Sequence, residues 1–350
     1  SDTLNGVGLL IGGLAIPVLA LVSLGGGSFF EGLSIIGNKN PEYLRVLTQE
    51  NLEGKQVSVP WPTLLTGMMF IQIFYWSTNQ VIVQRAMAAK SLAEGQKGIL
   101  FASAMKLVGP LMLCLPGIIA LHMPDLIIEK QDQVYGSVVR HVLPDWSLGL
   151  FAAVLMGSIL SSFNSALNSA STLFSLQFYK GYINEKASAL DIVNVGKKFG
   201  IILAIASIII APMLAQLDSI FQYLQKVNGI YSVPIIAIFL LGVLTKHIPA
   251  MGAKIGMIVG FASYAYFVFY PIENLHWLHM YFISFSWSIM VMLLIGYLDP
   301  KTQKEIEKSD ERDPAPVDMT PWSKAKEASM VIVLAIVAIY TLLSLAASKS

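Results

Sequence analysis

The hydrophobic residues of this chain are gathered into nine stretches that are almost free of charged side chains. A run of about twenty such residues, folded as one α-helix, covers the roughly 30 Å hydrocarbon core of a bilayer. The fourth stretch is longer than one crossing requires, and we expect it to extend into the cytosol near Phe178. The pattern predicts an all-α, multi-pass membrane protein with about nine spans, at 4–26, 61–84, 97–122, 146–178, 196–217, 219–244, 250–271, 277–297 and 329–347.

The composition agrees with a membrane protein. Hydrophobic residues make up 55% of the chain and charged residues 13%, and the mean hydropathy is +0.64. Soluble domains carry about 25% charged residues. The net charge of +1 argues against nucleic acid as a partner, and the single cysteine, Cys114, excludes an intramolecular disulfide.

The distribution of lysine and arginine predicts the orientation in the membrane. Fifteen of these residues fall in the loops after even-numbered spans, and six fall in the alternate loops and the C-terminal tail. Because basic loops stay in the cytoplasm, we expect Ser1 on the cytoplasmic side of the cell (inner) membrane and the C-terminus outside. The loop 27–60 is then extracellular, the loop 123–145 is an outer loop with a short amphipathic helix, and the charged stretch 298–328 is a cytoplasmic linker.

Polar and aromatic side chains in the second span suggest a solute pocket. Gln72, Tyr75, Trp76 and Asn79 follow steps of three and four residues, so they would share one helix face. Aromatic rings beside amides are typical of a sugar site, although an interfacial aromatic belt is the alternative. Lys106 in the third span faces a polar cavity or else extends to the interface. Gln225 and Asn228 follow the same helical spacing in the sixth span.

The fourth span contains "GSILSSFNSALNSASTLFS", with eight hydroxyls and two amides in nineteen residues and no charge. Small residues at every fourth position allow close helix packing, which explains part of this composition. Neutral hydroxyl and carbonyl oxygens also suit a monovalent cation. Because Ser158, Ser161 and Ser162 can converge by helical geometry, a sodium site is the second interpretation.

Three motifs carry a resemblance to a known family. They are "FYWSTNQVIVQRAMAAKS", with a lysine 31 residues after its tyrosine, "SSFNSALNSASTLFSLQFYK", and "FQYLQKVNG" followed by "PIIAIFLLGVLTK". In this order they resemble the sodium/solute symporter family, most closely its sodium/sugar (glucose/galactose-type) cotransporter branch, over essentially the whole chain.

The resemblance implies a LeuT-like fold built from two inverted repeats of five helices. It would make residues 1–26 the last helix of the first repeat and 61–244 the second repeat. Residues 245–297 would form two additional helices, and 329–350 the final transmembrane helix. On this reading the chain lacks the N-terminal helices of a longer transporter, and those helices are expected partners.

The resemblance also implies roles for individual residues. The carbonyl of Ser158 and the hydroxyls of Ser161 and Ser162 match the family's sodium ligands, and Asp2 matches an acidic residue associated with cation coupling. The implied substrate-binding residues are Gln72, Tyr75, Trp76, Lys106, Gln225 and Asn228. Asn228 stands where threonine is usual.

The function expected from these residues is sodium-coupled symport of a sugar, a hexose or related polyol, by alternating access. Sodium would be the coupling ion, with no other cofactor. The alternatives are a sodium symporter for a carboxylate, an amino acid or a vitamin, and a membrane sensor that binds solute without transport. An enzyme is not expected, because sets of nucleophile, base and metal ligands are missing from the spans. His276 and His279 are three residues apart but are expected at the outer interface rather than at a zinc site.

Overall fold

A computed structural model describes residues 2–39, 41–44, 47–48, 57, 59–217, 219–300 and 317–347. Within these ranges the regular elements are helices. Short 3₁₀ segments occur at Pro41–Leu44 and Gln131–Gln133, and π-helical segments at Leu64–Met68 and Phe174–Ile183. The α-helices are α1 (Asp2–Leu24), α2 (Phe29–Lys39), α3 (Met69–Ser77), α4 (Gln80–Met87), α5 (Leu92–Lys106), α6 (Gly109–Ala120), α7 (Val134–Val142), α8 (Asp145–Leu173), α9 (Ala189–Leu214), α10 (Ile220–Leu244), α11 (Ala250–Phe269), α12 (Trp277–Leu298) and α13 (Ala325–Ala347).

Eight helical segments of the described chain are long and apolar enough to cross a membrane. They match eight of the nine predicted spans, and the fourth extends through the π-helical segment to Ile183, beyond Phe178 as expected. The loop after the third predicted span contains a short helix, α7, as predicted. The eight segments are Thr3–Leu24, Leu92–Ala120, Asp145–Ile183, Ala189–Leu214, Ile220–Leu244, Ala250–Phe269, Trp277–Leu298 and Ala325–Leu345.

The second predicted span, 61–84, is not one continuous helix, and this part of the prediction was wrong. Helix α3 ends at Ser77, and Asn79 has an extended backbone (φ −69°, ψ 117°). The Thr78 hydroxyl donates to the Phe74 carbonyl at 3.0 Å, and the Asn79 side chain accepts from the Val81 N–H at 3.0 Å. Short polar side chains compete with helical hydrogen bonds in this way. Asn79 therefore caps α4 and does not extend the face formed by Gln72, Tyr75 and Trp76.

The third predicted span begins earlier than expected and is interrupted near its middle. Helix α5 ends at Lys106 and α6 begins at Gly109, with tighter three-residue turns between them. Pro110 has no N–H and cannot donate to the Lys106 carbonyl four residues before it. Lys106 thus lies at a helix end inside a segment that is otherwise long enough to span.

The chain folds into two compact units that are interleaved along the sequence. The first unit comprises residues 1–46, 98–220 and 324–350, and the second comprises 47–97 and 221–323. In the first unit, α1, α2, α6, α7 and α8 contribute to one apolar core, whose buried members include Ile16, Leu21, Ile36, Ile119 and Val138.

The second unit is organised around α10, α11 and α12 with α3 beside them. Its largest apolar cluster joins Ile71 of α3, Val233 of α10, Tyr264 of α11, and Leu278 and Tyr281 of α12. Helix α11 carries glycine at every fourth position, Gly252, Gly256 and Gly260. This spacing lets membrane helices approach closely, and the Ser288 hydroxyl of α12 donates to the Gly256 carbonyl at 3.0 Å.

Candidate functional site

The three predicted sodium ligands lie on α8, in the first unit. Ser158 and Ser161 are half-buried and Ser162 is exposed. The Ser158 hydroxyl donates to the Val154 carbonyl at 3.0 Å, and the Ser161 carbonyl accepts from the Ser165 hydroxyl at 2.9 Å. These two bonds use the Ser158 hydroxyl and the Ser161 carbonyl, which are not the atoms predicted to bind sodium in those residues. The hydroxyl hydrogen of Ser158 is used in its bond to the Val154 carbonyl of the same helix.

Helix α1 packs closely against the part of α8 that precedes these serines. A methyl group added at Gly12 would lie 2.9 Å from the Phe151 ring, and one at Gly8 would lie 2.9 Å from Val154. One at Gly157 would lie 2.8 Å from Oδ1 of Asn5. Helices α1 and α8 therefore run antiparallel: lower residue numbers of α1 lie beside higher residue numbers of α8.

This antiparallel register has a consequence for Asp2, the first residue of α1. One turn before Asn5, the backbone reaches the level of residues 160–161 of α8, where the predicted ligands lie. The side chain of Asp2 lies outside the described part of the structure. The register thus brings the backbone of the predicted coupling residue and the predicted sodium ligands to one end of the α1–α8 pair.

Five of the six predicted substrate-binding residues lie on neighbouring helices of the second unit. Helices α3 and α10 meet through Phe74 and Tyr231, whose ring centroids are 5.6 Å apart at 72°, and through a cluster that includes Phe70, Phe74 and Ile236. The aromatic pair on α3, Tyr75 and Trp76, has its rings edge to face at 5.5 Å. Gln72, Tyr75 and Trp76 lie on α3, and Gln225 and Asn228 lie on α10.

Exposure separates these five side chains from the core beside them. Gln72 and Tyr75 are exposed, and Trp76, Gln225 and Asn228 are half-buried. In contrast, Phe70 and Phe74 on the same helix α3 are buried. Amides and aromatic rings thus lie at least partly exposed beside the buried rings through which α3 contacts α10.

Lys106, the sixth predicted substrate-binding residue, belongs to the first unit. It is the last residue of α5 and its side chain is exposed. The interruption at residues 107–108 places it at a helix C-terminus, where a cation is favoured by the helix dipole.

Two tyrosines missed by the sequence analysis hold the polar part of α10. The Tyr231 hydroxyl donates to Oδ1 of Asn228 at 2.5 Å. The Tyr281 hydroxyl, from α12, donates to the backbone carbonyl of Gln225. Tyr231 follows Asn228 by three residues, so helical spacing was a usable signal. Tyr281 is 56 residues from Gln225 in sequence, and no local pattern connects them.

Gly229 explains how Tyr281 reaches the backbone of α10. A methyl group at this position would lie 2.0 Å from Cε1 and 2.6 Å from the hydroxyl of Tyr281. Gly229 and Tyr281 are both buried. Glycine is therefore required here for the close approach of a side chain to the helix, one turn after Gln225 and directly after Asn228.

His276 and His279 have structural partners near the start of α12. Nδ1 of His276 accepts from the Leu278 N–H at 3.3 Å and caps the helix, and His279 Nδ1 lies 2.7 Å from the Thr66 hydroxyl. The described residues contain no group of three side chains suited to hold a metal ion. Burial, followed by the positive charges of His279 and Lys226, lowers the pKa of His276 to about 4. A neutral ring is the form that can accept the capping hydrogen bond.

Residues 1–260 match the sequence profile of the sodium:solute symporter family. The chain belongs to this family. Its members are transporters, so the expectation that it is not an enzyme is confirmed, as is the family resemblance of the three motifs.

Individual relatives agree with this assignment. The chain is 40% identical over 342 residues to the uncharacterized symporter YidK of Escherichia coli (strain K12), covering 97% of this chain and 58% of that protein. It is 31% identical over 291 residues to a sodium/glucose cotransporter of Vibrio parahaemolyticus, covering 78% of this chain and 53% of that protein. The chain therefore spans a little over half the length of these curated relatives.

A solved structure of a Na⁺-coupled sialic acid symporter, in a substrate-bound outward-open state, has the same fold. The TM-score is 0.68 at 19% sequence identity, with 85% of this chain and 62% of that chain covered. This likeness confirms the predicted fold class, an all-α membrane protein with the LeuT-like fold.

Proposed function

We propose that the protein containing this chain carries out sodium-coupled symport of a sugar, a hexose or related polyol, by alternating access across the cytoplasmic membrane. The observation that carries the proposal is the α3–α10 contact of the second unit. Helix α3 carries the aromatic rings of Tyr75 and Trp76 and the amide of Gln72. Helix α10, which contacts α3, carries the amides of Gln225 and Asn228. Rings offer apolar faces for a sugar ring, and amides offer donors and acceptors for its hydroxyls.

The family and its named relatives support this solute class. The relatives include a sodium/glucose cotransporter from sheep at 30% identity and a sodium/myo-inositol cotransporter 2 from rabbit at 25% identity. These names describe those proteins, and we extend the sugar or polyol class to this chain by proposal. Residues 61–244 would form the second inverted repeat, with Ser1 in the cytoplasm and the C-terminus outside.

Sodium would bind at the carbonyl of Ser158 and the hydroxyls of Ser161 and Ser162, with Asp2 contributing to cation coupling. An ion drives a transport cycle by favouring one conformation over another. We infer that sodium joins α8 to helices of the first repeat outside this chain and stabilises the outward-open state. One charge moving through 100 mV releases about 2.3 kcal/mol, which corresponds to roughly 50-fold accumulation of solute.

Sodium-dependent uptake by the full-length protein in proteoliposomes tests the sodium site. Ser162→Ala should raise the sodium concentration for half-maximal uptake by about tenfold, since losing one ligand at the ~1.4 kcal/mol scale changes affinity by that factor. Ser207→Ala in α9 is the matched control, because the Ser207 hydroxyl donates to the Leu203 carbonyl of its own helix at 2.8 Å. Unchanged sodium dependence in Ser162→Ala would contradict the proposed ligand.

A carboxylate solute is the second candidate. Lys106, exposed at the end of α5, is a cation that would pair with a carboxylate as readily as it would donate to a hydroxyl. Competition of uptake by a panel of sugars, polyols and organic acids separates the two. Inhibition by neutral sugars alone supports the first proposal, and inhibition by acids alone supports the second.

A further inference from the structure

The side-chain amide oxygen of Asn228 accepts a hydrogen bond from another side chain of the protein. Its Oδ1 accepts a short hydrogen bond, 2.5 Å, from the Tyr231 hydroxyl. An amide side chain carries an acceptor oxygen and an NH₂ group with two donors. When the oxygen is turned toward Tyr231, the NH₂ group is the end directed away from it.

The Tyr231 side chain, which is 42% exposed, has one aromatic neighbour on α3. Its ring packs edge to face against Phe74, which is buried in the α3–α10 contact. Tyr231 and Asn228 are three residues apart on one helix, so they lie on the same face of α10. This shared face places the Tyr231 hydroxyl within hydrogen-bond reach of the Asn228 amide.

The backbone beneath Asn228 is also held. The Tyr281 hydroxyl donates to the Gln225 carbonyl, and the Tyr281 ring fills the space beside Gly229. Asn228 lies between these two points of α10. The orientation of its amide is consequently set by Tyr231 on a part of the helix that α12 keeps in position.

We propose that Tyr231 is a specificity-determining positioning residue, which binds Oδ1 of Asn228 and thereby directs the amide N–H groups toward the solute. The inference rests on the proposed function, in which Asn228 contacts the sugar. It adds that the sugar position facing Asn228 is read as a hydrogen-bond acceptor and not as a donor.

Fluorinated and deoxygenated sugars distinguish an acceptor from a donor. Fluorine in place of a hydroxyl cannot donate but retains a weak acceptor, whereas hydrogen retains neither. At one ring position of a transported sugar, the monofluoro analogue should keep a KM within about threefold of the parent, and the monodeoxy analogue should lose about tenfold. The loss is that expected for one unmade hydrogen bond in a desolvated site.

Tyr231→Phe is the decisive variant, because it keeps the ring against Phe74 and removes only the hydroxyl. With Oδ1 released, the amide can turn and accept from a sugar hydroxyl, so the fluoro-to-parent KM ratio at that position should rise about five- to tenfold. Tyr297→Phe, at the exposed far end of α12, is the matched control and should leave the ratio unchanged. Asn228→Asp, which still accepts from Tyr231 but carries no N–H donors, should raise the KM for parent and fluoro analogue alike.

The outcomes separate the inference from the function on which it rests. Sodium-dependent sugar uptake with the same fluoro-to-parent ratio in wild type and Tyr231→Phe would overturn the inference alone. Absence of sodium-dependent sugar uptake by the wild type would overturn the proposed function and the inference with it. A rise of the ratio confined to one ring position and to Tyr231→Phe would support both.

Discussion

Replacing Gly229 with alanine tests whether the approach of Tyr281 to α10 organises the second unit. The new methyl group would lie 2.0 Å from Cε1, 2.5 Å from Cζ and 2.6 Å from the hydroxyl of Tyr281. Carbon atoms in van der Waals contact are about 3.5–4.0 Å apart, so the Tyr281 ring must move by more than 1 Å. That ring is fully buried and packs against Tyr264 at 4.9 Å between centroids, which leaves it little room.

The expected cost combines three contributions. Inserting a methyl group into a packed core costs about 1–3 kcal/mol. Losing the hydrogen bond from Tyr281 to the Gln225 carbonyl costs about 0.5–1.5 kcal/mol. Alanine gains roughly 1 kcal/mol over glycine in helix propensity. We therefore expect Gly229→Ala to lower the free energy of unfolding by about 0.5–3.5 kcal/mol. It should also raise the KM for solute, because Gln225 and Asn228 lie within the turn that precedes the clash.

The assay is thermal or denaturant unfolding of the purified full-length protein in detergent, together with uptake in proteoliposomes. Gly242→Ala is the matched control, because Gly242 is on the same helix and no atom lies within 4 Å of its added methyl group. It should be neutral or stabilising. In the Tyr281→Ala background, which removes the ring, Gly229→Ala should lose most of its cost, so that the double-mutant cycle shows a coupling of about 1 kcal/mol or more.

Two results would refute this reasoning. Equal effects of Gly229→Ala and Gly242→Ala would show that no close approach exists at Gly229. Strictly additive effects of Gly229→Ala and Tyr281→Ala would show that the destabilisation has a cause other than the Tyr281 ring.

Three further predictions concern single side chains. Ser284→Ala should be neutral or stabilising, because its buried hydroxyl has no partner among the described residues, whereas Ser288→Ala, one turn later, should cost about 1 kcal/mol in unfolding experiments because it donates to a carbonyl. Because burial lowers the pKa of His276 to about 4, from about 6.5 when unfolded, its contribution to stability is complete above pH 6.5 and is lost as the pH falls toward 4. Replacement by asparagine, which keeps a capping acceptor, should flatten the fall of the unfolding midpoint in that range. Trp322→Ala, which removes the ring 5.9 Å from the Lys97 ammonium, should increase proteolysis of the 317–323 segment, and an unchanged cleavage rate would contradict this.

Membrane helices could be predicted from the sequence because length and hydropathy together determine them. Each of the eight segments that can span contains an 18-residue window with at most two charged residues. The break in the predicted second span was not anticipated, because hydropathy averaged over the whole span does not show where side chains compete for the hydrogen bonds of the helix backbone. The letters "STNQ" at 77–80 did contain the signal, since the hydroxyl of Thr78 and the amide of Asn79 take over hydrogen bonds that a continuous helix would use.

The candidate site was predictable only as far as helical spacing reaches. Gln225, Asn228 and Tyr231 lie at steps of three residues, so their common face could be inferred from sequence alone. The pairing of α3 with α10, through Phe74 and Tyr231, required the fold. So did the contact between Tyr281 and the backbone at Gln225, because long-range pairing leaves no trace in a local pattern.

The hydrogen-bond partners separate polar residues that permit packing from those that specify geometry. Many hydroxyls of the spanning helices, such as those of Ser158, Ser165 and Ser207, donate to a carbonyl four residues earlier in their own helix. A bond of this kind satisfies the hydroxyl whatever the position of the helix, so it does not determine how two helices pack. The Tyr281 hydroxyl instead binds the backbone of another helix, and it does so beside a glycine that has no space for a methyl group. In α10, Pro234 also removes the N–H that would bind the Ile230 carbonyl. The bond from Tyr281 therefore positions the segment of α10 that carries Gln225 and Asn228, which a bond within the helix could not do.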